Sequence, residues 1–118
     1  MPKLINALNG ETILEHLEVA STFWQRFKGL QLRHPLPADA GLMITPCSSL
    51  HTCFMRFPID VTMLDKELNV LGVRENVKPW RMVLCAKQTT SVIETTHGSM
   101  QWTVGQKLEV LPGNEGPA

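Results

Sequence analysis

Apolar positions along the chain come in short runs, each cut by turn residues within ten positions or so. The runs LINAL and ETILEHLEVA flank Asn9-Gly10. Both residues of that dipeptide tolerate positive φ, so 3–8 and 11–19 are predicted to form a β-hairpin. STFWQRFKGL follows. Ser21 or Thr22 can cap a helix, Phe23, Trp24 and Phe27 give it an apolar stripe for the core, and Gly29 can end it, which predicts a helix over 22–29. Two prolines and a glycine make RHPLPADAG, 33–41, a loop. Strands are then expected at 41–45, 51–56 and 60–65, where β-branched and bulky residues concentrate. After the turn at Asp65-Lys66 comes a strand at 67–76, a Pro-bearing connection at 78–82, and a β-branched strand at 87–96. Residues 97–106 read as a loop or a short helix starting near Ser99, and 107–111 as a last strand. The expected fold class is α+β, mainly β: a partly open barrel or sandwich of short strands with one main short helix near 22–29. Residues 1–111 form a single domain on this reading. PGNEGPA, 112–118, dense in Pro and Gly, is expected to be a disordered tail.

Composition narrows the function classes. A chain of 118 residues is one domain by size. At this length folding buries roughly two-thirds of the unfolded surface, enough for a core. Eleven basic residues balance eleven acidic ones, so no broad basic field exists to attract nucleic acid. The start, MPKLINALNGETI, has no signal-peptide h-region, and no apolar run is of membrane-spanning length. Three cysteines without a CxxC pair point to free thiols in a reduced, cytoplasmic setting. No cofactor is called for. The partner expected is a small polar or anionic ligand, not nucleic acid or a membrane, and composition says nothing of the oligomeric state.

The segment PCSSLHTCFMRFPIDVTML, 46–64, gathers the soft and charged groups. Cys47, His51 and Cys53 are zinc-type ligands, and 51 and 53 share one side of an extended strand. Asp60 or Cys85 could supply a fourth ligand. The paired ligand spacing of compact zinc sites is absent, so a metal is not favoured. A thiol nucleophile would need His51 as its base, yet same-side neighbours on a strand sit ~6.5–7 Å apart at Cα. The plain structural reading makes the cysteines small buried hydrophobes and His51 a hydrogen-bonded strand residue. Arg56 and Asp60 flank Pro58, where the strand must end or bulge. They can pair with each other or line a pocket. Trp80, after Pro79 and beside Arg81 and Met82, suggests an exposed binding lip. Trp102 suggests an anchor for the last turn. Met55 and Ile59 are expected to face the core, with His51, Arg56 and Asp60 at the rim of one cleft.

The ordered set TFWQRFKGLQLRHPLPADAGLMI, LHTCFMRFPIDVTMLD, a V-I-E strand and VGQKLEV resembles the DUF192 family of small prokaryotic proteins, whose biochemical function is not established. The resemblance covers about residues 19–111. It is carried by Arg26, Gly29 and Leu30 on the first helix, by Gly41-Leu42-Met43, by Phe54-Met55, and by Pro58-Ile59-Asp60. Two departures stand out: FMRFP where many members carry WMKNT, and Gly105-Gln106 where the family has Gly-Asp. The resemblance implies a fold and a place for a site, but no reaction. Two function classes follow. The first is a small noncatalytic ligand-binding or accessory module using His51, Met55, Arg56, Asp60 and Trp80. The second is a small metal-dependent or Cys/His enzyme.

Overall fold

A computed structural model describes residues 2–113 of the protein. Its elements in chain order are β1 (Lys3–Asn6), β2 (Thr12–Leu14), β3 (His16–Ala20), α1 (Phe23–Lys28), β4 (Ala40–Ile44), β5 (Ser49–His51), β6 (Ile59–Leu64), β7 (Val70–Val77), β8 (Met82–Leu84), β9 (Ser91–Thr96) and β10 (Leu108–Leu111). The α+β, mainly β expectation holds, with one short helix and sheets that do not close into a barrel.

The frame is a five-stranded sheet in the order β3-β4-β9-β6-β7. Only β3 and β4 run parallel; the other pairs are antiparallel. A parallel neighbour cannot be reached by a tight turn. The chain crosses over through α1 and the loop that carries Pro35 and Pro37. Strand parity divides the core in two. Leu42 and Ile44 of β4, Ile59, Val61 and Met63 of β6, and Val92 of β9 lie in one apolar cluster. Met43, Leu64 and Ile93 lie in the other. The second cluster is covered by the three-stranded sheet β10-β1-β2, through Leu4, Leu14 and Leu108. The first is covered by Leu30, Met55, Phe57 and, through Leu50, the two-stranded ribbon β5-β8.

The Asn9-Gly10 hairpin forms, with Gly10 at φ 76°. Its predicted second arm, 11–19, is two strands in different sheets: β2 pairs with β1, and β3 pairs with β4. The predicted strand 51–56 is also corrected. β5 ends at His51 and the chain turns, with Met55 N–H donating to Thr52 O and Phe54 at φ 63°. The cause is Thr52, fully buried. Its hydroxyl donates to Lys78 O at 2.7 Å and accepts from Arg81 N–H at 2.8 Å, so the chain is fastened to another segment rather than extended in a ladder. That fastening turns part of the predicted connection 78–82 into the start of β8, paired with β5. The strand predicted at 87–96 begins only at Ser91, and 97–106 contains turns but no helix.

Helix α1 has the predicted cap. Thr22 accepts from Gln25 N–H, and the Gln25 side chain accepts from Thr22 N–H. Its aromatic stripe does not enter the core, contrary to expectation. No residue of α1 is buried, and Phe23, Trp24 and Phe27 pack on one another instead. The six-residue helix sits above a hollow, and it is Leu30, just beyond it, that reaches the interior. Trp102 packs half-buried against the second cluster. No helix among the described residues is long and apolar enough to cross a membrane. Of the predicted tail, 114–118 lie outside the described residues.

Candidate functional site

The hollow under α1 is a cavity of about 520 Å³. Its roof is α1 with Gly29, its side is the 46–48 turn and β5, and its floor is the central sheet with Met55. Glu94 rises from that floor. It lies on β9 between Leu42 of β4 and Val61 of β6, both in the first apolar cluster. The side chain is 1% exposed, and its Oε1 has no hydrogen-bond partner. Burial among apolar neighbours disfavours the ionised form, and Glu94 is pushed up from 4.5 to about 8; the nearby Arg33 charge opposes this only in part. Arg33 is itself engaged by Glu18 in a two-point pair at 3.0 and 2.7 Å.

Two further buried polar atoms at this cavity lack partners: Arg26 Nε and Thr89 Oγ1. Arg26 is held by one outer nitrogen, Nη1, which donates to Pro46 O at 3.2 Å. Gly29 matters through both its backbone and its missing side chain. Its φ is 48°, a region that favours glycine, and an added Cβ would come within 3.2 Å of Glu94 Oε1. Buried polar groups are nearly always satisfied. Of seven unpartnered buried side-chain atoms among the described residues, three meet at this cavity, while Thr62, Thr95, Ser99 and Trp102 carry the other four away from its lining.

Of the residues expected to form a site, His51 and Met55 line this cavity, as does Cys47. The His51 ring stands edge-on to Phe27 at 5.3 Å, and its Nδ1 accepts from Cys53 N–H at 3.3 Å. In neutral His51 the proton therefore sits on Nε2. Cys47 Sγ donates to Ser49 O, and burial pushes its thiol up to about 11. Cys53 does not line the cavity, and all three cysteines are free. Among the described residues no three His, Cys, Asp or Glu side chains assemble as a metal site would require.

The fold does not bring Arg56 or Asp60 to this place. Arg56 is exposed and makes no ion pair among the described residues. Asp60 points to the opposite face of the sheet, because 59, 61 and 63 take the cavity side. There it is 2% exposed and fully engaged: it accepts from Asn76 N–H at 2.8 Å and Gly98 N–H at 3.1 Å, and His97 Nδ1 lies 2.8 Å from Oδ1. It clasps a bulge in β7, where Asn76 takes φ 53° and the register against β6 shifts. Trp80 is exposed and packs against Phe54 with the rings tilted by 59° and their centroids 4.7 Å apart, and it does not line the cavity.

Sequence reasoning missed Arg26, Thr89 and Glu94 as cavity residues. A signal for Glu94 was present: a lone carboxylate inside the β-branched run SVIETT. Arg26 had one in its place among the motif residues of the family resemblance; Thr89 gave none, since its meeting with Arg26 depends on the crossover that folds α1 onto the sheet.

These features define a class: a small, mainly β protein in which, among the described residues, one short helix roofs a cavity over a mixed sheet with a buried carboxyl in its floor. The DUF192 family model, described as Uncharacterized ACR, matches residues 4–110, and the chain belongs to that family. It is similar to a UPF0127 protein of Thermococcus sibiricus, with 32% identity over 125 residues, covering 92% of this chain and 80% of that protein. Two solved structures share the fold. One is of a Sinorhizobium meliloti 1021 protein, with TM-score 0.76 and 22% identity, covering 92% of this chain and 91% of that one. The other is of a protein of unknown function from Novosphingobium aromaticivorans, with TM-score 0.73 and 21% identity, covering 92% of both chains.

Proposed function

We propose that the protein is a noncatalytic ligand-binding or accessory module, and that its ligand is a small polar or anionic molecule held in the cavity between α1 and the central sheet. The observation that carries this reading is the set of unpartnered buried atoms there: Arg26 Nε, Thr89 Oγ1 and Glu94 Oε1. A ligand supplying the missing hydrogen bonds would remove a desolvation cost of about 1–3 kcal/mol per atom. His51 and Met55 belong to this site, with Arg26 and Glu94 in the places first expected of Arg56 and Asp60. Thiol catalysis is less well supported, because a Cys47 held near 11 supplies little thiolate at neutral pH. Three free thiols fit a reduced, cytoplasmic setting.

The test is ligand-detected NMR with a library of small acids, amides, alcohols and amines, followed by amide chemical-shift mapping on labelled protein. Shifts centred on 26–29, 46–51 and 89–94 are expected. A library without a single binder, or shifts centred on Asp60 and His97, would overturn the proposal.

A further inference from the structure

The unpartnered buried atoms of the cavity lean toward donors. Arg26 Nε is a donor and cannot accept. His51 presents Nε2–H, because Nδ1 is occupied by the Cys53 amide. Glu94 carries its proton at neutral pH, burial holding it near 8, and so offers an O–H. Thr89 can donate as well as accept. Pro46 O, a backbone acceptor of the lining, accepts from Arg26 Nη1. The charge is one-sided. Arg26 and Lys28 come from the roof, while the buried carboxyl and the Cys47 thiol are neutral. The walls are apolar and aromatic: Phe23, Phe27, Ile44 and Met55.

Building on the binding-module reading, we infer that the cavity takes an organic carboxylate: one carboxylate head among Arg26, His51, Thr89 and Glu94, with an apolar or aromatic body against Phe23, Phe27 and Met55. The head gains a charge-assisted hydrogen bond from the guanidinium and a short O–H···O bond from the protonated Glu94, the two strong kinds available. A cavity of about 520 Å³ admits a body of aromatic-acid size. The groups that face Glu94 or act on its charge are Arg26 and Lys28 from α1, Arg33 beyond Gly29, Cys47 from the turn and His51 from β5. The nearest other carboxylate in the row, Glu18 of β3, is one strand beyond Leu42 and is paired with Arg33, and it does not line the cavity. Ionisation of Glu94 would set a negative charge against the bound anion and expel it.

The experiment compares phenylacetate, phenylacetamide and phenethylamine, with hexanoate, hexanamide and hexylamine as the aliphatic series, by calorimetric titration at pH 6.5 and pH 9. Acids are expected to bind at least about tenfold more tightly than the matching amides at pH 6.5, and amines not at all. Acid affinity should fall as pH passes about 8. Arg26→Met should abolish the preference for acid over amide, with circular dichroism confirming the fold. Glu94→Gln should remove the fall above pH 8. Amides or amines binding more tightly than acids, or acid affinity rising with pH, would overturn the carboxylate assignment while leaving a binding module intact. Binding by none of the six compounds, in a protein to which the NMR library also gives no hit, would overturn both readings.

Discussion

Two carboxylates lie within one residue pair of each other on adjacent strands, both almost wholly buried, and they could hardly differ more. Asp60 on β6 faces the side covered by the three-stranded sheet and is met by two amide donors and a histidine ring. Glu94 on β9 faces the cavity and has an oxygen without a partner. Burial alone therefore says little about what a carboxylate does. A carboxylate whose acceptor sites are filled by backbone amides is part of the scaffold, here fixing the β7 bulge. One left unfilled at the edge of a hollow costs stability, and that cost makes sense at a site where a ligand completes the set. The same contrast explains the aromatic helix. α1 buries none of its own side chains because it roofs a cavity rather than filling a core.

The sharpest break in the comparison comes from Asp60→Ala. It strands the Asn76 and Gly98 amides and the His97 ring at once, and should destabilise the fold by about 3–5 kcal/mol in urea unfolding. A change below about 1 kcal/mol would mean that Asp60 is no clasp.

Glu94 should behave in the opposite way, and pH reveals it. In the unfolded chain Glu94 ionises near 4.5, while in the folded chain it keeps its proton to about 8. Between those values the folded state holds one more proton, so raising pH favours unfolding. Below 4.5 and above 8 the effect is flat. From pH 5 to pH 7 the wild type should lose about 2 kcal/mol relative to Glu94→Gln, which lacks the titration. Parallel stability curves for the two proteins across that range would contradict the buried, protonated carboxyl.

The smallest effect separates backbone strain from contact with Glu94. Gly10 and Gly29 both have positive φ, but a Cβ at Gly10 meets open space while one at Gly29 meets Glu94 Oε1 at 3.2 Å. Gly10→Ala should cost about 1 kcal/mol and Gly29→Ala about 2 kcal/mol by thermal or urea unfolding. Equal costs would show that the Gly29–Glu94 approach yields without strain.

Much of the fold was legible in the chain. Asn9-Gly10 marked a hairpin, Ser21-Thr22 and Gly29 the ends of a helix, and the β-branched runs most strands, because these signals act over a few residues. The family resemblance was equally readable, carried by an ordered set of short motifs. Less legible was the segment 46–64. β-branched and bulky residues made 51–56 read as a strand, but Thr52 found partners at Lys78 and Arg81, far along the sequence, and turned the chain there. That is why Arg56 stands in solvent and why His51 lies under Phe27 rather than beside Asp60.

The mainly β class, the helix boundaries and the burial of Ile59 were readable from the chain alone, because they follow from side-chain period and local backbone preference; Met55 is buried as expected, but from a turn rather than from a strand. Which carboxylate is clasped and which is left open was settled by long-range packing. Strand parity put Asp60 and Glu94 on opposite faces, but what covers each face depends on the crossover of α1 and the packing of the three-stranded sheet. Those are contacts between residues remote in the chain, and a buried acid has no local signature that tells whether distant amides or a cavity will meet it.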